Sequence, residues 1–244
     1  MTLLVLNLEA DLTVDDDLHL LNEITQHGKR AFHMLKIALP FSRMQVLASK
    51  DKMKGITFGV PHLNDALPGS FTEKIAASMV KNAGACFTLI GTIKERKRLN
   101  ENSVESLSAK MKNALDSKLE VIYCIDLSSD LQQQLELLLQ YPAYFNQKEP
   151  LLIIQPLTTF YKHYLPSSEE LKEIYAQVEG PLKESLGDHF KNISLLVKLP
   201  ADLAGFSEVI AKSPFQGIFC NVSGIYPHSV HEEFAGLAKA DLEN

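Results

Sequence analysis

The sequence predicts a closed (β/α)₈ barrel, on three observations. Eight short apolar runs recur along the 244 residues. Several are continuously apolar, as parallel strands buried on both faces are. The gaps between them carry helical periodicity, so strand and helix alternate and the sheet is all parallel. The length is that of one such barrel, which predicts a single domain over residues 1–244.

In chain order the strand-like runs are Leu3–Leu8, Ala31–Leu39, Ile56–Val60, Cys86–Gly91, Leu119–Ile125, Leu151–Pro156, Ile193–Val197 and Gly217–Val222. Leu18, Leu20, Leu21 and Ile24 mark the first helix, Leu107, Met111 and Leu115 the fourth, and Leu171, Ile174, Tyr175 and Val178 the sixth. Ser167-x-x-Glu170 and Ser229-x-x-Glu232 are capping-box patterns, and Gly84 sits where a helix stops before the fourth strand. Lys94–Ser108 reads as a loop with some helix surface. An open, doubly wound sheet is the alternative arrangement. It would place a glycine-rich phosphate turn after its first strand, and Asn7–Asp11 contains no glycine.

Composition narrows the function classes. A net charge of −6 and a pI near 5.8 exclude the basic footprint of a nucleic-acid binder. Cys86, Cys124 and Cys220 are far apart and set in apolar runs, which predicts buried thiols in a reducing compartment. No Cys/His cluster suggests zinc, and no cofactor motif is present. The apolar run at Met1–Leu8 is too short for a signal-peptide core, and no stretch of 18 apolar residues exists, so the expectation is a soluble cytoplasmic protein with no membrane partner.

Several motifs narrow the barrel further. Gly69-Ser70-Phe71-Thr72, followed by Ile75, Met79, Val80 and Lys81, runs without a gap into Leu89-Ile90-Gly91-Thr92-Ile93-Lys94-Glu95-Arg96. Val121-Ile122-Tyr123-Cys124-Ile125, Gln155-Pro156 and Phe215-Gln216-Gly217-Ile218-Phe219 follow at matching intervals. In these stretches the chain resembles the triosephosphate isomerase family, whose fold is the TIM barrel. The resemblance covers roughly the whole chain and is best between Gly59 and Ile125. It implies a homodimer through the third loop, with Gly69, Phe71 and Thr72 at the contact.

What the resemblance implies for activity is undercut by the residues in the family's catalytic positions. That reaction needs a carboxylate base, a neutral histidine against the carbonyl and a lysine for the anion. Here Gln155 replaces the base, Thr92 the histidine and Glu9 the lysine. Lys94 stands where the family has a glutamate. Glu95 stands where it has an arginine whose acidic partner corresponds to Glu101, so a like-charge pair and a repacked loop are expected. The glycine pairs that cradle phosphate are replaced as well. Lys198-Leu199-Pro200 lies over Gly-Gly-Ser, and Asn221-Val222 over Gly-Gly. The family's glycine-bearing lid becomes Leu157–Tyr164, which reads as an aromatic plug of Phe160, Tyr161 and Tyr164.

Glu9, Asp11, Asp126, Lys198 and Asn221 all fall near the C-terminal ends of strands, where barrel enzymes place their chemistry. Asn7, Lys198 and Asn221 are therefore the candidate ligand-binding residues. Glu9 with Lys198 reads as a mutually neutralising pair, or as solvated loop ends, before it reads as a new site. His228-x-x-His231 has metal-ligand spacing but no third ligand nearby, and reads as a solvated helix start. His163 reads as the polar edge of an aromatic cluster, and Cys124 as inert packing. The sequence thus predicts a diverged family member with isomerase activity lost. An enzyme of another reaction at the barrel mouth, or a residual isomerase, remains open, and the small-molecule ligand is not identified.

Overall fold

A computed structural model of the chain describes residues 3–9, 13–27, 34–48, 56–66, 69, 75–98, 103–156, 164–200 and 206–222. Eight parallel strands close into a barrel in chain order. They are β1 (Leu3–Leu8), β2 (Met34–Ala38), β3 (Ile56–Val60), β4 (Phe87–Ile90), β5 (Glu120–Asp126), β6 (Leu151–Gln155), β7 (Ser194–Pro200) and β8 (Gly217–Val222). Closure runs through β1 and β8, in register from Leu3–Gly217 to Leu8–Val222. The helices between strands are α1 (Val14–His27), α2 (Phe41–Ala48), α3 (Ala77–Asn82), α4 (Ile93–Arg98), α5 (Val104–Asp116), α6 (Leu131–Leu139), α7 (Pro142–Phe145), α8 (Ser168–Leu186) and α9 (Phe206–Ala211). Among the described residues no helix is long and apolar enough to cross a membrane.

Side-chain alternation along the strands builds two cores. Leu3, Val5, Phe87, Leu89, Ile122, Cys124, Leu151, Ile153, Leu196 and Phe219 pack inside the barrel. Leu4, Leu6 and Leu8 and their counterparts meet the helices outside it. Gly59 makes room for an interior ring, because a Cβ there would lie 2.5 Å from the Phe87 side chain. Lys36 is also buried inside, over the face of Phe87 and paired with Glu120.

Local signals account for several helix ends. Ser167 and Glu170 form the expected capping box of α8. Gly84, with φ +97°, follows the end of α3 as expected. Thr13 and Asp16 cap α1 reciprocally. Two expectations are corrected. Part of Lys94–Ser108 is a helix of its own, α4, over residues 93–98. The second strand is described over Met34–Ala38, and residues 28–33 lie outside the described set. Cys86, the residue just before β4, is exposed, whereas Cys124 and Cys220 are buried as expected. Ser229 and Glu232 lie outside the described residues.

Asp17 on α1 and Arg43 on α2 form a buried ion pair at 2.6 Å, and Arg43 also donates to the Glu9 carbonyl at 2.5 Å. This pair joins two helices to the end of β1. Burial outweighs the attraction of Arg43 and pushes the Asp17 carboxyl up to about 6. The native chain therefore binds this proton more tightly than the unfolded chain, and the Asp17 contribution to stability improves as pH falls through about 6. Thermal unfolding of wild type and D17N across this range tests the point. The Tm of wild type rises relative to D17N on acidification through pH 6, and a pH-independent difference refutes it.

Candidate functional site at the barrel mouth

Gln155 ends β6 and is 1% exposed. Its Oε1 accepts from the Ile93 N–H at 3.2 Å, and its Nε2 donates to the Gly91 carbonyl at 3.3 Å. Both ends of the amide are thus engaged by backbone at the junction of β4 and α4. Gly91 has φ +83°, a conformation suited to glycine, and a Cβ there would lie 2.8 Å from the Cys124 carbonyl. Arg96 holds the same turn from outside, donating to the Gly91 carbonyl at 2.8 Å and to the Cys124 carbonyl at 3.1 Å. Thr92 Oγ1 accepts from the Glu95 N–H at 3.2 Å, so its hydroxyl caps α4.

Other glutamines do similar work. Gln134 spans the N–H and carbonyl of Asp126, and Gln147 those of Val121. Each side chain stands in for a neighbouring peptide group. Gln155 is one of this set, with the difference that it bridges two residues at the mouth.

The charges are arranged otherwise than expected. Glu9 pairs with Lys94, not with Lys198. The two positions carry the reverse of the family's charges, and the reversal is mutual. Glu95 meets no acid among the described residues. It accepts from the Gly91 N–H at 2.8 Å and pairs with Lys110 at 2.6 Å, both side chains almost wholly buried. Glu101 lies outside the described residues. The described partner of Glu95 is thus a cation 15 positions along the chain. Lys198 is partly buried and makes no hydrogen bond or ion pair among the described residues. Burial lowers the pKa of its ammonium, Lys94 pushes in the same direction and Glu9 opposes them.

Asn7 Nδ2 donates to Asn221 Oδ1 at 3.0 Å, which links β1 to β8, while Asn7 Oδ1 is buried without a partner. Asp126 turns its carboxylate to the Ser128 N–H at 2.9 Å and the Ser128 hydroxyl at 2.6 Å, so it shapes the turn after β5 and is not open to a ligand. Cys124 lies inside the barrel, and burial raises its thiol pKa, which fits inert packing. Tyr164 is exposed and donates to Glu170, so it does not plug the mouth. Gly69 is exposed. Asp11, Phe71, Thr72, Phe160, Tyr161, His163, His228 and His231 lie outside the described residues.

The segments over the family's phosphate cradle continue as strand. Residues 198–200 belong to β7 and 221–222 to β8, Pro200 is in register with Asn221, and Glu9 N–H donates to the Val222 carbonyl at 2.9 Å. Sequence reasoning missed the partners Lys94 and Lys110 and the two-ended bonding of Gln155. The opposite reversals at positions 9 and 94 were a visible signal for the first of these.

Three variants test this geometry. Q155E keeps the acceptor but loses the donor to Gly91 and sets a carboxylate against that carbonyl. Urea unfolding should show a loss of about 1–3 kcal/mol, and unchanged stability would count against the clamp. K110M leaves the Glu95 carboxylate buried without its cation, at a cost of about 3–5 kcal/mol, and E95Q/K110M recovers most of it. A loss in K110M as small as that of a surface substitution would rule out the pair.

A family model described as triosephosphate isomerase matches residues 2–197. The chain is similar to the triosephosphate isomerase of Protochlamydia amoebophila, 35% identical over 89 residues that cover 36% of this chain and 33% of that protein. It is 29% identical over 119 residues to that of Alkaliphilus metalliredigens, covering 49% and 48%. It is 23% identical over 223 residues to that of Deinococcus radiodurans, covering 88% and 91%. The chain thus spans between a third and about half the length of the first two relatives, and most of the third. With the closed parallel barrel and a family match over most of its length, the chain belongs to the triosephosphate isomerase family.

Proposed function

We propose that this chain has lost the isomerase reaction of its family and serves as a non-catalytic binding or regulatory protein. One observation carries the reading. The side chain in the base position is a buried amide bound at both ends to backbone. An amide has no useful basicity toward a carbon-bound proton. Thr92, in the position of the histidine, uses its hydroxyl oxygen to cap α4. Glu9 puts an acid where the family has a phosphate-holding lysine, and Lys94 neutralises it. The strand pairing at 198–200 and 221–222 supports the same view, since a cradle needs free backbone N–H groups and Pro200 has none.

A homodimer through Gly69, Phe71 and Thr72 belongs to the proposal, and so does a cytoplasmic location. Support for the dimer comes from the Gly69-Ser70-Phe71-Thr72 sequence and from the anchoring at either end of this loop. Asn113 donates to the Asp65 carbonyl at 2.8 Å, and Asn64 Oδ1 accepts from the Ile75 N–H at 2.7 Å. A second reading, an enzyme of another reaction at the mouth, is favoured by Lys198, which has no ion-pair partner among the described residues.

The decisive experiment is interconversion of dihydroxyacetone phosphate and glyceraldehyde 3-phosphate by purified protein. No turnover above buffer is expected, and ordinary enzyme rates would defeat the proposal. The double variant T92H/Q155E should gain nothing. A recovery on the order of 10²–10⁴-fold would mean that the mouth still holds a sugar phosphate. Sedimentation at micromolar concentration should give twice the chain mass, and a monomer would remove the dimer from the proposal.

A further inference from the structure

The lysines around the mouth and core are mostly engaged: Lys94 with Glu9, Lys110 with Glu95, Lys36 with Glu120. Lys198 is not, among the described residues. On β7, Leu196 packs inside the barrel while Val197 and Leu199 face the helices, so alternation puts Lys198 on the inner side, two residues nearer the mouth than Leu196. It remains partly accessible there. On β1, next but one to β7 around the barrel, Asn7 offers a buried amide oxygen with no donor. Among the described residues, an amine without an ion pair and an acceptor without a donor therefore sit toward one end of three successive strands, β7, β8 and β1, with the Asn7–Asn221 bond spanning the last two.

We propose that Lys198 is an amine nucleophile that captures a small hydroxy-aldehyde as an imine at the barrel mouth. The unprotonated nitrogen attacks the carbonyl carbon, the C–N bond forms as the carbonyl π bond opens, and the resulting carbinolamine loses its oxygen as water. Ammonium plus aldehyde thus becomes iminium plus water, with no change in oxidation state. Such a step needs an amine that is neither held in an ion pair nor fully hydrated, which among the described residues is the setting of Lys198. The lowered pKa of its ammonium, caused first by burial, favours the reactive form. The Asn7 oxygen would accept a hydrogen bond from the ligand hydroxyl and so select a hydroxy-aldehyde over a plain one. The inference is independent of isomerase loss, since it uses neither Gln155 nor Thr92.

Reductive trapping tests it. The full chain is treated at pH 7 with glycolaldehyde and sodium cyanoborohydride, and adducts are located by peptide mass spectrometry. Lys148, exposed and without an ion pair among the described residues, is the internal reference. Lys198 should label faster than Lys148 by on the order of tenfold or more, because a desolvated amine is more often unprotonated. Propanal, which lacks the hydroxyl, should show a smaller preference for Lys198. K198R keeps the positive charge; it should lose this adduct while Lys148 labels as before and the circular dichroism spectrum is unchanged. Labelling of wild-type Lys198 at or below the Lys148 rate overturns the proposal, and equal preference with both aldehydes overturns the role of Asn7.

Discussion

The mouth of this barrel is organised by one amide. Gln155 reaches from the end of β6 to the turn that follows β4 and satisfies a backbone donor and a backbone acceptor there. A buried N–H at a strand end has no water to turn to, so leaving that of Ile93 unpaired is costly, while the Gly91 carbonyl is shared with Arg96. The same turn is held from its other side by Arg96 and Glu95, and Glu95 is in turn neutralised by Lys110. A side chain chosen for proton abstraction could not fill the Gln155 role, because a carboxylate has no donor for the Gly91 carbonyl.

The charges show a mutual dependence. An acid at position 9 would be poorly placed beside the barrel end if Lys94 were still acidic, and a lysine at 94 would lack its partner if position 9 were basic. The pair is reversed together. Its geometry also supports the alignment at Glu9, where the flanking sequence alone is a thin guide. Two substitutions far apart in the chain, each puzzling by itself, become one change once they are seen to touch.

Much of the barrel was legible in the sequence because strands buried on both faces leave long apolar runs, and the runs at Leu3–Leu8, Ile56–Val60 and Gly217–Val222 match strands residue for residue. The box at Ser167 was legible because its partners are three residues apart. The helix at 93–98 was not, since Ile93-Lys94-Glu95-Arg96-Lys97-Arg98 has a single apolar residue and no amphipathic stripe. Its start depends on the Thr92 cap and on tertiary contacts of Glu95 and Arg96. The residues of the site could be singled out by resemblance, but their bonding partners are distant in sequence. Lys110 for Glu95 and Gly91 for Gln155 are set by closure of the barrel, which no local pattern records.

The double engagement of Gln155 also bears on the history of the chain. Glutamine and glutamate codons differ only in the first base, so a carboxylate at this position is one nucleotide away. Genetic proximity and physical accessibility nevertheless part company here. Once an amide has become a tie between strands, the reverse mutation removes scaffolding before it restores any chemistry. Divergence at such a residue then works as a ratchet, turning easily in one direction and held by the architecture in the other.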